Sequence, residues 1–570
     1  MSSPDADLTG SVLIREARPV TVPSARPPGP TPGSDGRTTR PGPTTSQAGA
    51  TRAAPPSGPL DLRIVDGVVT EAAPHLERAP GEDVIEAAGR WVVPGLWDQH
   101  VHLTQWSQTF GRLDVSAAGS AAETLTLVRD LLATTPSRRD LPAVGYGFRH
   151  ALWPDNASLA ALDAVAGDVP VILMSGDVHC GWLSSRARQL LDVPPTSDDD
   201  GLVRENDWFA ALTRLAQLPG PDPTAGYRRA MDEAAARGIV GITDMEWAAN
   251  AQDWPGRVAA GLDLLRLRTA TYADRLDDIL AAGLRTGDRL HGGRGLLTMG
   301  PLKVISDGSL NTATAHTVAP YSHPLDPAHP HGVQNVAPDE LVDLVRRATA
   351  GGLAVAIHAI GDAAVGIALD AIEEAGASGS VEHAQLLSPG QASRFAALDV
   401  VASIQPAHLL DDRDITEDRW PGRGGRVFVL RELLDAGARV AFGSDAPVAP
   451  LDPWLAMAAA VHRSGDERPA WHPEQHITAV EALAASTDGQ GTVEAGSRGD
   501  IVLLDADPLA GPGLVPVAPV APDASDSAVT SRGVRARVDA TLDTAAMAAH
   551  LRAMPVAATL VAGRTTYRNL

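Results

Sequence analysis

Cysteine occurs once in 570 residues, at Cys180. No intrachain disulfide can form, and zinc-finger chemistry is excluded. Such sparing use fits a reducing cytoplasm. Lysine is equally scarce: of the 47 Lys and Arg residues, only Lys303 is lysine. No stretch approaches the roughly 18 apolar residues that a membrane helix needs. The opening M-S-S-P-D-A-D-L-T-G has neither the basic start nor the apolar core of a secretory signal. Positive charge is short as well. A net charge of −23 argues against a sequence-independent nucleic-acid binder. The expectation is a cytoplasmic protein with no nucleic-acid or membrane partner.

What is present is 44% apolar, an ordinary share for a globular chain, and too long for one ordinary core. Residues 11–20 read as a strand. Residues 21–59 are rich in Pro, Gly, Ser and Thr and read as a disordered insertion, with too little apolar surface to offset the entropy of ordering. Residues 60–70 turn at Asp66-Gly67 and read as a β-hairpin. With residues 83–87 they make a β-unit over 1–90. Its counterpart spans 486–570, with Gly499-Asp500 leading into I-V-L-L-D-A-D-P, two short strands over 556–567 around Gly563, a low-complexity loop at 511–530 and a helix at 541–553. The two ends are expected to build one β-sandwich.

The middle, 91–485, alternates apolar strands with amphipathic helices. Eight strands are predicted: 91–98, 239–244, 264–271, 298–306, 353–358, 380–384, 400–405 and 439–444. Helices are predicted at 338–350 and 426–436, among others. Eight such units indicate a (β/α)8 barrel in an α/β chain. The long gap after the first strand predicts an inserted subdomain over 110–225, raised as a lid over the barrel mouth.

The first of these strands runs W-V-V-P-G-L-W-D-Q-H-V-H. Residues two apart on a strand share a face, so His100 and His102 project together, with Asp98 on that side. Two imidazoles at a strand end suit a divalent metal such as zinc; the plain alternative is a solvent-facing pair near a turn. Barrel active sites lie at the C-terminal strand ends. There the chain places His358 after L-A-V-A-I, His383 in S-V-E-H-A-Q and Asp445 in V-A-F-G-S-D-A-P, while Lys303 sits inside G-P-L-K-V-I-S-D-G. Imidazole and carboxylate are zinc ligands. A buried lysine can lose its charge and take up carbon dioxide as a carbamate, an anionic group able to bridge two metals; arginine stays protonated and cannot. Two ions about 3.5–4 Å apart would hold a hydroxide between them, and Asp445 is placed to accept its proton and pass it to a leaving amine.

P-G-L-W-D-Q-H-V-H, L-K-V-I-S-D-G-S-L, I-H-A-I-G-D, V-E-H-A-Q, I-Q-P-A-H and F-G-S-D-A-P-V together resemble the amidohydrolase superfamily, in its amidohydrolase-3 branch of YtcJ-like and N-substituted formamide deformylase-like proteins. The resemblance covers nearly the whole chain. It implies a metal-dependent hydrolase of C–N bonds outside peptides, with one or two ions. His100, His102, His358, His383 and Asp445 would be ligands, and Lys303 a carbamylated bridge. Two departures bear on the substrate. Gln99 stands where a small residue is usual, and D-V-H-C-G-W-L-S-S lacks an Asn-Ser after its histidine.

His179, His408 and Trp97 are candidate substrate contacts. Trp106 and Trp182 could also line a pocket. Asp307 and Gly308 are expected to shape the loop after strand four, and Arg423 and Arg426 to pair with the acidic run 411–418. The expected reaction is attack of hydroxide on a small amide or formamide. A one-metal deaminase acting on a C=N bond and a catalytically silent, ligand-binding barrel are the alternatives. Dimers are common among look-alike proteins, so a homodimer is a further expectation.

Overall fold

The computed structural model describes residues 10–24, 58–134, 142–194, 200–218, 223–510 and 543–570. Its frame is a ring of eight strands: β1 (Leu96–Val101), β2 (Ile239–Asp244), β3 (Arg266–Thr271), β4 (Leu297–Ile305), β5 (Val355–Ala359), β6 (Gly379–His383), β7 (Val401–Ile404) and β8 (Arg439–Phe442). Each pairs in parallel with the next. The ring joins through a parallel bridge between Val101 and Ala446, where the Asp445 N–H donates to the His100 carbonyl at 2.7 Å. Strands covered on both faces read as unbroken apolar runs; all five residues of β5 are buried. Amphipathic helices do the covering. In Pro338–Ala350, Leu341, Val345 and Ala348 form the buried stripe at helical spacing. The architecture is the expected (β/α)8 barrel.

One predicted strand divides in two. Within 91–98, Trp91–Pro94 pairs antiparallel with Ile501–Leu504 and parallel with Ser11–Pro19, outside the barrel. The barrel strand starts only at Leu96. Gly95 marks the crossing: a Cβ there would lie 2.4 Å from a Val240 methyl, so glycine lets β2 approach. Both halves are buried and apolar, which is why they read as one run.

Strands from both ends of the chain lie in one sheet. Its path runs Arg564–Arg568, Val556–Val561, Ile501–Leu504, Trp91–Pro94, Ser11–Pro19, Leu60–Val65 and Val68–Ala73, with Asp83–Glu86 beside Ser11–Pro19. Ile14, Leu62, Ile85, Ile501, Leu503 and Leu560 pack in its apolar cluster. The hairpin turns at Asp66 and Gly67, both at positive φ, 49° and 79°. The first residues of the segment expected to be unstructured, 21–24, are described and ordered. Val22 is buried in the main core, and its N–H donates to the Thr492 hydroxyl at 2.9 Å. Residues 25–57 and the loop 511–530 lie outside the described residues.

The insertion is a small α/β unit. Its five-stranded sheet runs Leu202–Arg204, Cys180–Leu183, Val171–Ser175, Ala143–Phe148 and Leu113–Asp114, with a separate apolar cluster on each face. Among the described residues no helix is long and apolar enough to cross a membrane.

Candidate metal centre

The strand ends bring six titratable side chains to one place. Strand register explains how. Ile305 of β4 pairs with His358 of β5, and Ala359 of β5 with His383 of β6. The two histidines therefore stand at neighbouring strand ends, ring centroids 4.4 Å apart. Lys303 lies two residues deeper than Ile305, and its long stem brings Nζ to 3.1 Å from His100 Nε2. Asp445, just past β8, sets Oδ1 3.5 Å from His100 Nε2 and 3.3 Å from His102 Nε2. Its Oδ2 lies 3.9 Å from His408 Nε2. His383 and Asp445 both adopt positive φ, 68° and 59°. Non-glycine residues hold such conformations where the surroundings over-determine them, often at functional sites.

Two triads share the aspartate: His100, His102 and Asp445, and His383, His408 and Asp445, each with ligand atoms within 4.8 Å of one another. His408 thus sits among the candidate ligands rather than only along a substrate wall. His358 belongs to neither triad. Its Nε2 lies 3.3 Å from the Gly308 carbonyl and 3.4 Å from Asp307 Oδ1. Asp307 and Gly308 do shape this loop: Asp307 accepts the backbone N–H groups of Ile360, Gly361 and His316.

The electrostatics favour a cation. Burial lowers the pKa of His100, His358 and His383, and the charge of Lys303 lowers each further. Burial also lowers Lys303, against the pull of Glu382 and Asp445. Burial alone would raise Asp445, but His100, His102 and His383 hold it well below the usual carboxylate range. The result is that His100, His358 and His383 favour the neutral imidazole beside one carboxylate. The buried nitrogens His102 Nδ1, His383 Nδ1 and His408 Nε2 have no hydrogen-bond partner among the described residues. Neutral imidazole with carboxylate is a donor set for zinc-like ions, so these residues fit a divalent cation.

A family model described as "Amidohydrolase family" matches residues 83–567. The chain belongs to the amidohydrolase family. It is 27% identical over 448 residues to "Protein LONG AFTER FAR-RED 3" of Arabidopsis thaliana, covering 71% of this chain and 74% of that one. It is 26% identical over 485 residues to the "N-substituted formamide deformylase" of Arthrobacter pascens, covering 78% and 88%. Among solved structures, an uncharacterized metal-dependent hydrolase from Pyrococcus furiosus matches with a TM-score of 0.64 and 26% identity, over 79% of this chain and 96% of that one.

The amidohydrolase centre opens into a cavity of about 1330 Å³ lined by the barrel mouth and the insertion. The insertion is fastened there by polar contacts. Asp177 accepts from Ser309 and Asn311, each at 3.0 Å, and Glu205 accepts from Thr312 and Thr314. Between these carboxylates stands His179, Nδ1 3.0 Å from Glu205 and its ring 6.1 Å from that of His358. Burial opposes its charge, but Glu205 and Asp177 raise its pKa to about 9.

Three expectations fail here. Trp97 does not line the cavity. It is buried under Arg268, 4.6 Å from the ring, and donates to Thr243. Alternation along β1 sets it with Gln99, whose neighbours Thr243 and Arg268 it shares, and not with Asp98 and His100. Trp182 is in the insertion core and Trp106 packs on Phe110; the tryptophan at the cavity is Trp247. Arg423 and Arg426 do not meet the acidic run. Arg426 pairs with Glu432, and Arg423 donates to the Ala319 and Pro320 carbonyls. Arg149 and Arg468 take Asp411 and Asp414 instead.

Sequence reading missed Glu382. Its Oε2 accepts from His100 Nδ1 at 2.8 Å, and its other oxygen from Ser380. It fixes the tautomer that turns His100 Nε2 to the centre. Its place next to His383 in V-E-H was the available signal. Gln99 binds Asp488, Thr243 and Arg268, away from the candidate ligands, which accounts for that departure without involving the metal centre.

Proposed function

We propose that this amidohydrolase is a metal-dependent hydrolase of a non-peptide amide or formamide. The observation that carries the reading is the pair of triads meeting on Asp445 at the C-terminal mouth of the barrel. The residues that would hold the divalent ion or ions, zinc by donor type, are His100, His102, His358, His383 and Asp445, with His408 beside them and Lys303 beneath. When bound, such an ion supplies a Lewis acid and makes hydroxide available near neutral pH.

The chain's own groups do the rest. Asp445 accepts the proton of the attacking water and returns it to the leaving nitrogen. Oδ2, the oxygen away from His100 and His102, is placed for this. His179 spends Nδ1 on Glu205, which leaves Nε2 to donate to the substrate carbonyl oxygen. The insertion supplies part of the cavity wall over this geometry. Lys303, buried and the sole lysine, takes up carbon dioxide on neutral Nζ, releasing one proton and leaving a carbamate that adds negative charge to the ligand set.

The test is amine release from a panel of N-formyl and N-acyl amines by the zinc-loaded protein and by Asp445→Asn. Turnover by the wild type and loss of roughly 1000-fold or more in the variant is expected. Turnover of cyclic amidines with none of amides would move the reading to a deaminase.

A further inference from the structure

The cavity wall at the start of the insertion carries a cation without a carboxylate partner. Arg112 follows the helix Leu103–Thr109 and lines the cavity. Its Nη1 donates to the Met174 sulfur at 3.6 Å and its Nη2 to the Gln108 side-chain oxygen. Sulfur is a weak acceptor and an amide oxygen is neutral. Among the described residues, no carboxylate comes within the 4.0 Å of an ion pair. The nearest field is that of Glu246, which spends its oxygens on the Gln105 N–H and side-chain amide at 3.0 and 3.2 Å. Burial pushes Arg112 down to about 10, a sign that its charge is poorly compensated.

Two neighbours complete this arm of the cavity. Arg229 lies over the Phe110 ring, 4.7 Å from its centroid, and makes no ion pair among the described residues. Trp247, 56% exposed, stacks on Tyr272 with centroids 5.3 Å apart and planes at 9°. Both aromatic rings line the cavity, as does Arg229. A flat aromatic surface held open to solvent suits an apolar ligand body.

We propose that Arg112, supported by Arg229, binds a carboxylate on the substrate, remote from the bond that is cleaved. The inference rests on the hydrolase reading and names its substrate class: amides with an apolar, aromatic-compatible body and one terminal negative charge. A guanidinium has five N–H donors in a planar fork. Two of Arg112's are in use, and the others match a carboxylate's two oxygens. Neither guanidinium has an ion-pair partner among the described residues, and Glu246 is the carboxylate whose field reaches Arg112, which leaves room for a monoanion. A half-buried cation, its hydration partly lost, gains from a partner that replaces it.

The test is isothermal titration calorimetry on the full-length, zinc-loaded protein with the non-hydrolysable para-(methylsulfonylmethyl)benzoate, its carboxamide and its phosphonate. The benzoate is expected to bind about ten-fold tighter than the carboxamide, and at least as tightly as the phosphonate. In Arg112→Gln the benzoate advantage should fall to within about two-fold while carboxamide affinity, which reports an intact site, is unchanged. Arg112→Lys should keep part of the advantage, and Arg229→Gln should reduce it less than Arg112→Gln. A variant that fails to fold leaves the salt test on the wild type: rising salt should weaken the benzoate and not the carboxamide. Equal wild-type affinities, or an advantage that survives in Arg112→Gln, would overturn the proposal, and a phosphonate bound far tighter would replace the carboxylate by a phosphate. Amine release from para-(formamidomethyl)benzoate and its carboxamide is followed in parallel. A binding preference with no release from either formamide supports the anion site and contradicts the hydrolase reading.

Discussion

Lys303 is the one position where the chain departs from its habit of using arginine, and it is 2% exposed with Nζ 3.1 Å from His100 Nε2. A guanidinium there can neither become neutral nor take up carbon dioxide. Lys303→Arg should therefore lose activity by roughly 1000-fold or more, with little change in secondary structure, as read by amine release and circular dichroism. Near-normal turnover would remove the lysine from the centre. Glu382 supports a different residue-scale prediction. Without its acceptor, His100 loses the bond that orients it, so Glu382→Leu should weaken zinc binding by about 10–100-fold, measured by competition with a chelator. Unchanged affinity would leave Glu382 a purely structural group. The candidate ligands were legible because each ends a predicted strand in a fold whose chemistry gathers at those ends. Glu382 was not, because a carboxylate beside a histidine reads as one more strand residue until register shows what it faces. His408 was read as a wall contact because nothing in I-Q-P-A-H tells that its ring falls 6.0 Å from His383.

At the scale of elements, boundaries were harder to read than identities. Seven of the barrel strands lie within two or three residues of their predicted spans, whereas 91–98 divides between a sheet and the barrel. The division turns on long-range pairing with Ile501–Leu504, which no local pattern reports. Tight packing of β1 on β2 gives a direct test. A Cβ on Gly241 would lie 2.2 Å from the Trp97 ring, so Gly241→Ala should cost about 1–3 kcal/mol in chemical unfolding. A neutral substitution would mean that the indole moves freely. The terminal sheet carries its own pH signature. Burial alone would raise Glu82, but Arg63, Ser11 and the Ala79 N–H hold it at about 2, below its ordinary 4.5. Between those values the unfolded chain binds a proton that the folded chain refuses. This contribution is complete above pH 4.5 and is lost as the pH falls toward about 2. Glu82→Gln should be less stable near neutral pH and should show a flatter decline in that window, measured by urea unfolding at several pH values. Parallel declines in both proteins would contradict the assignment.

For the whole molecule, the two ends of the chain share a sheet while the barrel occupies the middle, so the sheet cannot be completed before the last strands are present. Val556–Val561 lies between Ile501–Leu504 and Arg564–Arg568 on that path. A chain ending before Val556 should expose Leu503 and Ile501 and become sensitive to proteolysis across residues 58–90, which limited digestion would show. The insertion makes the converse contribution. It has its own apolar clusters, and Asp177 and Glu205 tie it to the barrel mouth; its Arg112 wall was not legible in the sequence, because it depends on contacts with Met174 and Gln108 that no local pattern reports. The central claim is that side chains from strand ends far apart in the chain form one metal centre. The most direct measurement is anomalous diffraction at the zinc edge from crystals of the zinc-loaded protein. The account predicts one or two peaks about 2.0–2.2 Å from imidazole nitrogens among His100, His102, His358, His383 and the adjoining His408, and from Asp445. Zinc bound elsewhere, with no peak among these residues, would contradict it.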